Sequence, residues 1–487
     1  MNERNERNAL LRDLFIAKDA SYKNRISGYD EEPSGCLEGT RKDVLATLEK
    51  WARYDTINKI YWMYGMAGTG KSTIAHSLCE RLQEAQLLGA SFFCSRTSST
   101  VSGTEYIIPT IASRIALDSP PFLSQILQQL DNDPELSSSK KPVTQFKHLI
   151  SEPIKECFGS TNKTTYKVIV IDALDECTDI RKVGSLVKAL LDGIPTLPIK
   201  LFIASREEKV IREAFTSAES AGSAHHHTFI LHNVEEQIVK ADIKLYLSES
   251  LSKIFGVNGY KSDPDLSTAV PLLVERAGQL FIYAATVVRD VGYHSGYHKK
   301  RLRSIIEDEG GSDSTLETAQ LDSLYDSVLK RTFTGLKDYE VRMLREVLLS
   351  VVFSQNPISR SSMASLLGLQ IEEVDYALDT LHSVVRVPSS PDLHVTPFHA
   401  SFADFLQDAE RCKSTSPLVP SECHSILATR SLRCLNETFE LHTAPHKIEA
   451  AAAEQLEMGK NIEAVKYASL YWAHHLASSQ FTDTCNN

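Results

Sequence analysis

The pattern of apolar and polar positions changes about halfway along the chain. As far as Leu231, short apolar runs alternate with stretches whose apolar residues recur at helical spacing. Such alternation predicts a parallel β-sheet with helices on both faces. We expect strands at Ile60–Tyr64, Ala90–Cys94, Val168–Ile171 and Leu201–Ala204. Val168–Ile171 is apolar at every position, as a strand buried on both faces requires.

The second half of the chain is predicted to be helical. It begins after Thr216–His227, a small and polar segment that we interpret as a loop. Asp242–Ile254 and Leu272–Val288 have apolar residues at helical spacing. The polar segment Glu307–Ser314, with its paired glycines, predicts a domain boundary.

The pattern from Tyr339 onward predicts a winged helix. After Tyr339 the apolar residues Leu344, Val347, Leu348, Val351 and Val352 form one helical stripe, and shorter helices follow around Ser361–Leu367 and Ile371–Leu381. Two extended pieces come next, Val384–Val387 and Leu393–Val395, joined by the turn Pro388–Asp392. In a nucleic-acid reader the third helix carries basic or amide side chains towards the bases. Here it has no Lys or Arg and carries Glu372, Glu373, Asp375 and Asp379. Because carboxylates repel phosphates, we expect this helix to pack against protein.

A phosphate-binding loop follows the first predicted strand. Residues 65–72 satisfy the pattern G-x-x-x-x-G-K-[ST], and an apolar stripe at helical spacing comes after it. Glycines let main-chain N–H groups surround a phosphate, and the helix that follows directs its positive end at the same anion. Lys71 would reach the β- and γ-phosphates, and the Ser72 hydroxyl would ligate Mg²⁺. The residues expected to contact the nucleotide or its metal are Gly65, Gly68, Thr69, Gly70, Lys71, Ser72 and Thr73.

An acidic strand end lies about one hundred residues downstream. Asp172 directly follows Val168–Ile171 and is the candidate for positioning Mg²⁺. Asp175 and Glu176 lie where a carboxylate could orient or deprotonate the attacking water, with Glu176 slightly preferred. Arg206, at the end of another strand, could sense the γ-phosphate through its planar fork. An exposed loop arginine would produce the same spacing.

Composition narrows the choice of partner and compartment. The formal net charge of −11 over 487 residues gives no electrostatic basis for wrapping nucleic acid, which we disfavour as the main partner. No apolar run reaches the length of a membrane span, and the N-terminus lacks a secretory signal, so we expect a cytoplasmic protein without a membrane partner. The nine dispersed cysteines are typical of reduced thiols. We interpret His225–His227 as a solvated tract and not as a metal site.

These motifs together resemble the NACHT family of signalling ATPases, within the STAND class, and especially its fungal members. The resemblance covers roughly residues 36–410. It is carried by Gly35–Arg41, Gly65–Thr73, Phe92–Arg96, Val170–Cys177, Ala204–Arg206, Ala277–Ala284 and Pro397–Leu406, with Tyr467–Leu476 beyond.

The fold implied is an α/β P-loop NTPase with a parallel sheet flanked by helices, followed by a helical domain, a winged helix and a further helical region. The predicted boundaries are 1–35 for a lead-in, 36–230 for the NACHT core, 231–306 for the helical domain, 307–338 for a linker, 339–410 for the winged helix and 411–487 for the C-terminal helices.

The resemblance also implies a molecular switch. The protein would be compact and ADP-bound at rest, exchange ADP for ATP, and then self-oligomerise to engage a protein partner. It would be a weak ATPase, with ATP preferred over GTP on the strength of the family likeness. By the same likeness Lys71, Ser72 and Thr73 bind phosphate and Mg²⁺, Asp172 holds the metal and Arg206 is the sensor.

Two further residues enter through the resemblance. His399 would reach the β-phosphate of ADP and lock the closed state, and Arg41, with Thr40, falls where relatives line the adenine side. The sequence places His399 in the first turn of a helix, with Thr396 as N-cap and Pro397 as first helical residue. From the sequence alone a partly exposed structural histidine is the favoured interpretation, and only the resemblance makes the phosphate contact equal to it.

Two other functions are compatible with the motifs. One is an AAA+-like ATPase that turns over quickly to remodel protein or nucleic acid, and the other is an interaction scaffold stabilised by nucleotide. The acidic triplet argues against the scaffold, and the acidic third helix argues against a nucleic-acid remodeller. NACHT proteins usually carry an effector module before the ATPase and repeats after it, and neither is recognisable in this sequence. We therefore expect either a minimal module that works with partners or a fragment of a larger protein.

Overall fold

The computed structural model describes residues 14–23, 35–96, 98–136, 141–158, 166–220, 225–293, 296–307, 318–412, 418–443 and 451–479. For residues 439–443 and 451–461 it describes the backbone only. The described chain forms two compact units. The first contains the residues as far as Tyr246 together with Gly278–Leu280, and the second contains the rest. Most of the predicted lead-in and of Glu307–Ser314 lies outside the described residues.

The first unit is built on a five-stranded parallel sheet in the order β2–β3–β4–β1–β5. Its strands are β1 (Ile60–Tyr64), β2 (Leu88–Phe93), β3 (Lys167–Asp172), β4 (Ile199–Ser205) and β5 (His226–Ile230). The four predicted strands are confirmed, with ends that differ by at most two residues. β1 lies between β4 and β5, so the loop that leaves its carboxyl end is close to the ends of both neighbours.

Helices cover both faces of this sheet. They are α1 (Lys42–Tyr54), α2 (Lys71–Glu84), α3 (Thr104–Asp118), α4 (Pro120–Asn132), α5 (Pro142–Phe146), α6 (Glu152–Phe158), α7 (Ile180–Gly193) and α8 (Lys209–Ser220), with a π-helical segment, Lys147–Ser151, joining α5 to α6. Alternate residues of β1 enter different cores: Trp62 packs with α3–α8, and Tyr61 packs with α1 and α2. Leu14 and Ala17, from the N-terminal segment 14–23, are buried in the first of these cores.

The loop predicted for Thr216–His227 is wrong at both ends. Helix α8 continues to Ser220, and β5 begins at His226. β5 pairs with β1 alone and is therefore an edge strand, which needs no continuous apolar pattern. Its histidines meet acidic side chains, with His226 Nε2 at 3.1 Å from Glu219 and His227 Nε2 at 2.8 Å from Asp55.

The second unit is helical, as predicted. α9 (Glu236–Phe255) contains the boundary between the units, and the helices after it are α10 (Pro264–Ala277), α11 (Phe281–Gly292), α12 (His298–Glu307), α13 (Ala319–Phe333), α14 (Asp338–Phe353), α15 (Arg360–Leu367), α16 (Ile371–Thr380), α17 (Ala400–Gln407), α18 (Pro420–Thr443) and α19 (Ala451–Ser478). The single helical stretch expected at Leu272–Val288 is wrong. It is divided at Gly278, whose φ of 54° is left-handed and ends α10.

The segment from α14 to β7 has three helices followed by an antiparallel strand pair, in the order predicted. β6 (Val385–Arg386) lies inside the predicted piece Val384–Val387 and pairs with β7 (Thr396–Pro397). The second piece was placed too early, because β7 begins one residue after Leu393–Val395. The acidic α16 is engaged within this unit, because Asp375 binds Arg360 at 2.7 Å and Asp379 accepts a hydrogen bond from the Tyr293 hydroxyl.

Across the described ranges, none of the helices is both long enough and apolar enough to cross a bilayer.

Candidate nucleotide-binding site

The phosphate loop joins β1 to α2. Gly68 and Gly70 have φ values of 82° and 90°, a left-handed conformation that glycine adopts without strain. Gly70 is the N-cap of α2, and Lys71 is its first residue. The open N–H groups of the first helical turn therefore lie at the end of the loop, where an anion can bind them.

Lys71 is held against the main chain of the loop. Its Nζ donates hydrogen bonds to the carbonyl oxygens of Gly65 at 2.8 Å and Met66 at 2.7 Å. Burial lowers the pKa of Lys71 to about 8, while the nearby carboxylates of Asp175 and Asp172 act in the opposite direction. The loop thus presents a positive charge in a poorly solvated place.

Arg41 supports the same loop from its other side. Its Nη2 donates to the Thr69 carbonyl at 2.9 Å, and its backbone N–H donates to Asp242 at 3.0 Å. The residue is 5% exposed and has a left-handed φ of 53° before α1. These contacts position the loop, and the adenine contact implied for Arg41 stays a prediction.

Asp172, the last residue of β3, is buried beside the start of α2. The Ser72 hydroxyl hydrogen-bonds to its carboxyl group, and burial raises the pKa of Asp172 to about 7. Its Oδ1 is buried and, within the described part of the chain, has no hydrogen-bond partner. A buried carboxylate oxygen without a partner, next to a hydroxyl, fits a Mg²⁺ site, because Mg²⁺ prefers oxygen ligands.

A strained turn follows Asp172 and carries the other two carboxylates. Ala173 has a left-handed φ of 53° and leads into the 3₁₀ helix Leu174–Glu176. This conformation is unfavourable for a residue with a Cβ, and such strain is concentrated at functional sites. It turns the chain so that Asp175 and Glu176 meet different partners.

Asp175 is paired with Arg206. Its Oδ1 accepts a hydrogen bond from the Arg206 backbone N–H at 2.8 Å, and its Oδ2 lies 3.3 Å from Arg206 Nε. Arg206 follows Ser205, the last residue of β4 and itself the acceptor for Trp62 Nε1 at 2.9 Å. Because the Asp175 carboxylate is already paired with the Arg206 guanidinium, it is less available than an unpaired carboxylate to accept a proton.

Glu176 has a different environment. Its Oε2 accepts a hydrogen bond at 3.1 Å from the backbone N–H of Arg96, three residues beyond the end of β2. Burial raises the pKa of Glu176, and the Asp175 carboxylate raises it further. A carboxylate with a raised pKa is a stronger base. The geometry therefore favours Glu176 over Asp175 as the group that could accept a proton.

The predicted residues of the first unit come together at one edge of the sheet. Asp175, Asp172, Arg206 and Glu176 are all close enough to Lys71 to influence its charge. Two neighbours were missed from the sequence. Arg96 holds Glu176 through its main chain, and His232 lies beside the loop, with Nδ1 3.6 Å from where a Cβ on Gly65 would stand. Arg96 was missed because a backbone N–H contact does not depend on which amino acid makes it. His232 was missed because β5, the strand before it, was not predicted.

His399 lies in the second unit, and its predicted local structure is wrong. Thr396 and Pro397 form β7 and do not begin a helix, and His399 is the N-cap of α17. Its Nδ1 accepts a hydrogen bond from the Ser401 backbone N–H at 3.1 Å, which the sequence could not show because histidine is an uncommon cap. With Nδ1 as acceptor, the proton of the neutral ring is on Nε2.

The fold and the site define a P-loop nucleoside-triphosphate-binding protein. A family model described as "Nephrocystin 3, N-terminal" matches residues 39–206, about a third of the chain, and includes the phosphate loop, the acidic strand end and Arg206. No curated protein matches the sequence.

Three solved structures are among those similar to the chain. The ORC1 protein of Aeropyrum pernix in complex with DNA is 14% identical with a TM-score of 0.32, covering 74% of this chain and 89% of its own. Cdc6p of Pyrobaculum aerophilum is 12% identical at 0.31, with 87% and 99% covered. Domain III of the Thermotoga maritima replication initiation protein DnaA is 9% identical at 0.29, with 64% and 98% covered. Scores this low support no conclusion about function.

Proposed function

We propose that the chain is an ATP/ADP-controlled switch of the NACHT type, in which slow hydrolysis sets the nucleotide state and the state governs assembly with itself and with protein partners. One observation carries the proposal. Arg206, at the strand end beside Lys71, is bound by the Asp175 carboxylate, and a γ-phosphate would compete with that carboxylate for the guanidinium. The presence or absence of the third phosphate would then decide whether Asp175 and Arg206 hold together the segments that follow β3 and β4.

The hydrolytic roles follow from the surroundings of each side chain. Lys71 would hold the β- and γ-phosphates, whose negative charge favours its protonated form. Asp172 and Ser72 would hold Mg²⁺, which neutralises phosphate charge when bound. Glu176, fixed by the Arg96 N–H, would orient the attacking water and accept its proton.

The second unit supplies the regulatory part of the proposal. Residues 339–410 would form a winged helix that packs against protein, since α16 is acidic and two of its carboxylates are already bound inside the unit. His399 would donate its Nε2 proton to the β-phosphate of ADP in the resting state. The resemblance to NACHT proteins supports this contact, and the assigned tautomer supplies the required donor.

The test is to identify the nucleotide that co-purifies with the recombinant protein, by denaturation and chromatography, and to measure steady-state hydrolysis. The proposal expects near-stoichiometric ADP and turnover well below about one per second, the lower end of the usual enzyme range. An empty site with faster turnover would instead indicate a remodelling ATPase of the AAA+ type.

The role of His399 has a separate test. His399→Ala should accelerate release of a fluorescent ADP analogue by at least about tenfold, equivalent to roughly 1.4 kcal/mol. His474→Ala, which removes an exposed histidine from the same unit, is the matched control. Unchanged ADP release in His399→Ala would restrict His399 to capping α17.

A further inference from the structure

Two cysteines are in contact beside the candidate base. Cys94 comes directly after β2, and Cys177 comes directly after the 3₁₀ helix that ends at Glu176. Their Sγ atoms are 3.7 Å apart, and both are free thiols. The two residues are 5% and 7% exposed, so both are largely buried. A disulfide needs an S–S distance of about 2.05 Å, so the sulfurs would have to approach by a further ~1.7 Å.

The two segments that carry these thiols also position Glu176. Two residues after Cys94, the Arg96 backbone N–H binds the Glu176 carboxylate at 3.1 Å. The Cys94 backbone N–H donates to the Asp172 carbonyl at 3.0 Å. Cys177 is the residue after Glu176, and its own N–H closes the 3₁₀ turn on the Leu174 carbonyl. A disulfide would therefore constrain both segments that position Glu176, namely the one that carries Glu176 itself and the one that carries the Arg96 N–H.

We propose that Cys94 and Cys177 form a reversible disulfide that stops hydrolysis while leaving nucleotide bound. The inference rests on the proposed role of Glu176 in hydrolysis. The phosphate loop and Lys71 lie on a different connection, between β1 and α2, and carry neither thiol. Closing the bond moves the segment that ends at Glu176 by an amount comparable to the 1 Å misplacement that costs an enzyme about 100-fold in rate.

The oxidant that fits a site of such low exposure is hydrogen peroxide. One thiol sulfur attacks a peroxide oxygen, the O–O bond breaks, and a sulfenic acid and one water are formed. The second thiol then attacks the sulfenic sulfur, the S–S bond forms and a second water leaves. The pair of thiols loses two electrons and two protons in total, and the peroxide is reduced to two waters. Reduction by a small dithiol restores the starting state.

The experiment begins with peptide mapping of the full chain. The protein is treated with peroxide, remaining thiols are alkylated, and peptides joined through Cys94 and Cys177 are sought by mass spectrometry before and after dithiothreitol. A joined peptide that disappears on reduction is expected. Its absence at peroxide concentrations that oxidise Cys157, a more exposed thiol on α6, would overturn the proposal.

Hydrolysis and nucleotide release are then measured on the same samples. Oxidation should lower hydrolysis by about 100-fold, with recovery on reduction, and should change the affinity for a fluorescent ADP analogue by less than about twofold. Cys94→Ala and Cys177→Ala should each become insensitive to peroxide relative to their own untreated rate, whereas Cys157→Ala should remain sensitive. Hydrolysis that persists in the joined form would overturn the control of Glu176.

The mapping separates this inference from the proposed function. If the reduced protein shows no hydrolysis at all, the assignment of Glu176 as base fails. The joined peptide still decides whether the two thiols form a bond. A joined form that loses nucleotide would also contradict the proposal, because the effect would then extend to the phosphate loop.

Discussion

At the scale of single residues, the site depends on charged side chains placed where water is scarce. Lys71, Asp172 and Glu176 all have pKa values displaced by burial, in the direction that disfavours their charged forms. The loop carbonyls stabilise the Lys71 ammonium, and the Arg96 N–H stabilises the Glu176 carboxylate. Removing the Lys71 ammonium, for example, leaves the nearby Asp172 and Asp175 carboxylates without its positive charge.

Lys71→Ala is expected to lower nucleotide affinity by at least about 100-fold. The variant loses the cation that faces the phosphates, and a hydrogen bond to a charged group contributes roughly 1.5–3 kcal/mol even without the Coulomb attraction. Isothermal titration with ADP measures the effect. Lys188→Ala, on the exposed side of α7, is the matched control and should bind as the natural protein does. Equal affinities for the two variants would remove Lys71 from the site.

Glu176→Gln is expected to retain ATP and to hydrolyse it about 10²- to 10⁴-fold more slowly, the usual contribution of a general base. The amide keeps the hydrogen bond from Arg96 but cannot accept a proton. Asp175→Asn should instead loosen Arg206 and reduce the difference in affinity between ATP and ADP. Single-turnover assays with bound ATP distinguish the two. If Asp175→Asn abolishes the chemical step and Glu176→Gln does not, the two roles are reversed.

At the scale of helices, α18 and α19 share a hydrogen-bonded chain of neutral groups. The Gln355 N–H donates to the Tyr467 hydroxyl at 3.2 Å, and that hydroxyl lies 2.7 Å from His475 Nε2. His475 Nδ1 is 2.8 Å from His424 Nδ1. The chain closes if Tyr467 donates to His475 and His475 donates to His424. Burial, with the two neighbouring histidines, lowers the pKa of His475 to about 3.

The contact between these two helices should therefore weaken in acid. The unfolded chain takes up a proton on His475 below its ordinary pKa of about 6.5, whereas the folded chain does so only near 3. Stability from this group is fully present above pH 6.5 and is lost as the pH falls from 6.5 towards 3. At pH 5 the loss is about 2 kcal/mol.

Hydrogen exchange of peptides from residues 462–479, at pH 7.5 and pH 5 after correction for intrinsic rates, measures this loss. His475→Gln, whose side chain stays neutral, should remove most of the pH dependence. His474→Gln alters the exposed neighbour and should leave it in place. The same pH dependence in both variants would assign the effect to other groups.

At the scale of the whole molecule, the sequence predicted what depends on continuous burial. The predicted segments of β3 and β4, Val168–Ile171 and Leu201–Ala204, are apolar because both faces of the central sheet are covered, and the phosphate loop has an obligatory residue order. β5 was missed because an edge strand tolerates polar residues such as His226 and His227. The division of Leu272–Val288 at Gly278 was also missed, since one glycine within a helical pattern is often tolerated.

Pairings between distant segments were beyond the sequence for a different reason. The partners Asp175 and Arg206 follow different strands, and only the strand order brings the ends of β3 and β4 together. The contact between Cys94 and Cys177 depends in the same way on β2 and β3 being neighbours. Spacing along the chain identified each residue, but not its partner.

Bound nucleotide should stabilise the first unit by mass action. Mg·ADP at one hundred times its dissociation constant adds about 2.7 kcal/mol to the free energy of unfolding. Hydrogen exchange should slow in β1, α2 and β3, and the unfolding temperature should rise. Lys71→Ala should abolish both changes. An unfolding temperature that does not respond to nucleotide, in protein first stripped of it, would contradict the assignment of the site.

The backbone at Ala173 limits which sequences can carry this site. A β-branched side chain in the left-handed region is a severe outlier, whereas glycine, asparagine and aspartate enter it at low energy. Saturation mutagenesis at this codon, selected for stably folded protein, should therefore recover a short list of small or amide-bearing residues and exclude valine, isoleucine and threonine. The φ angle of this single residue would then limit which amino acids evolution can place between Asp172 and Leu174.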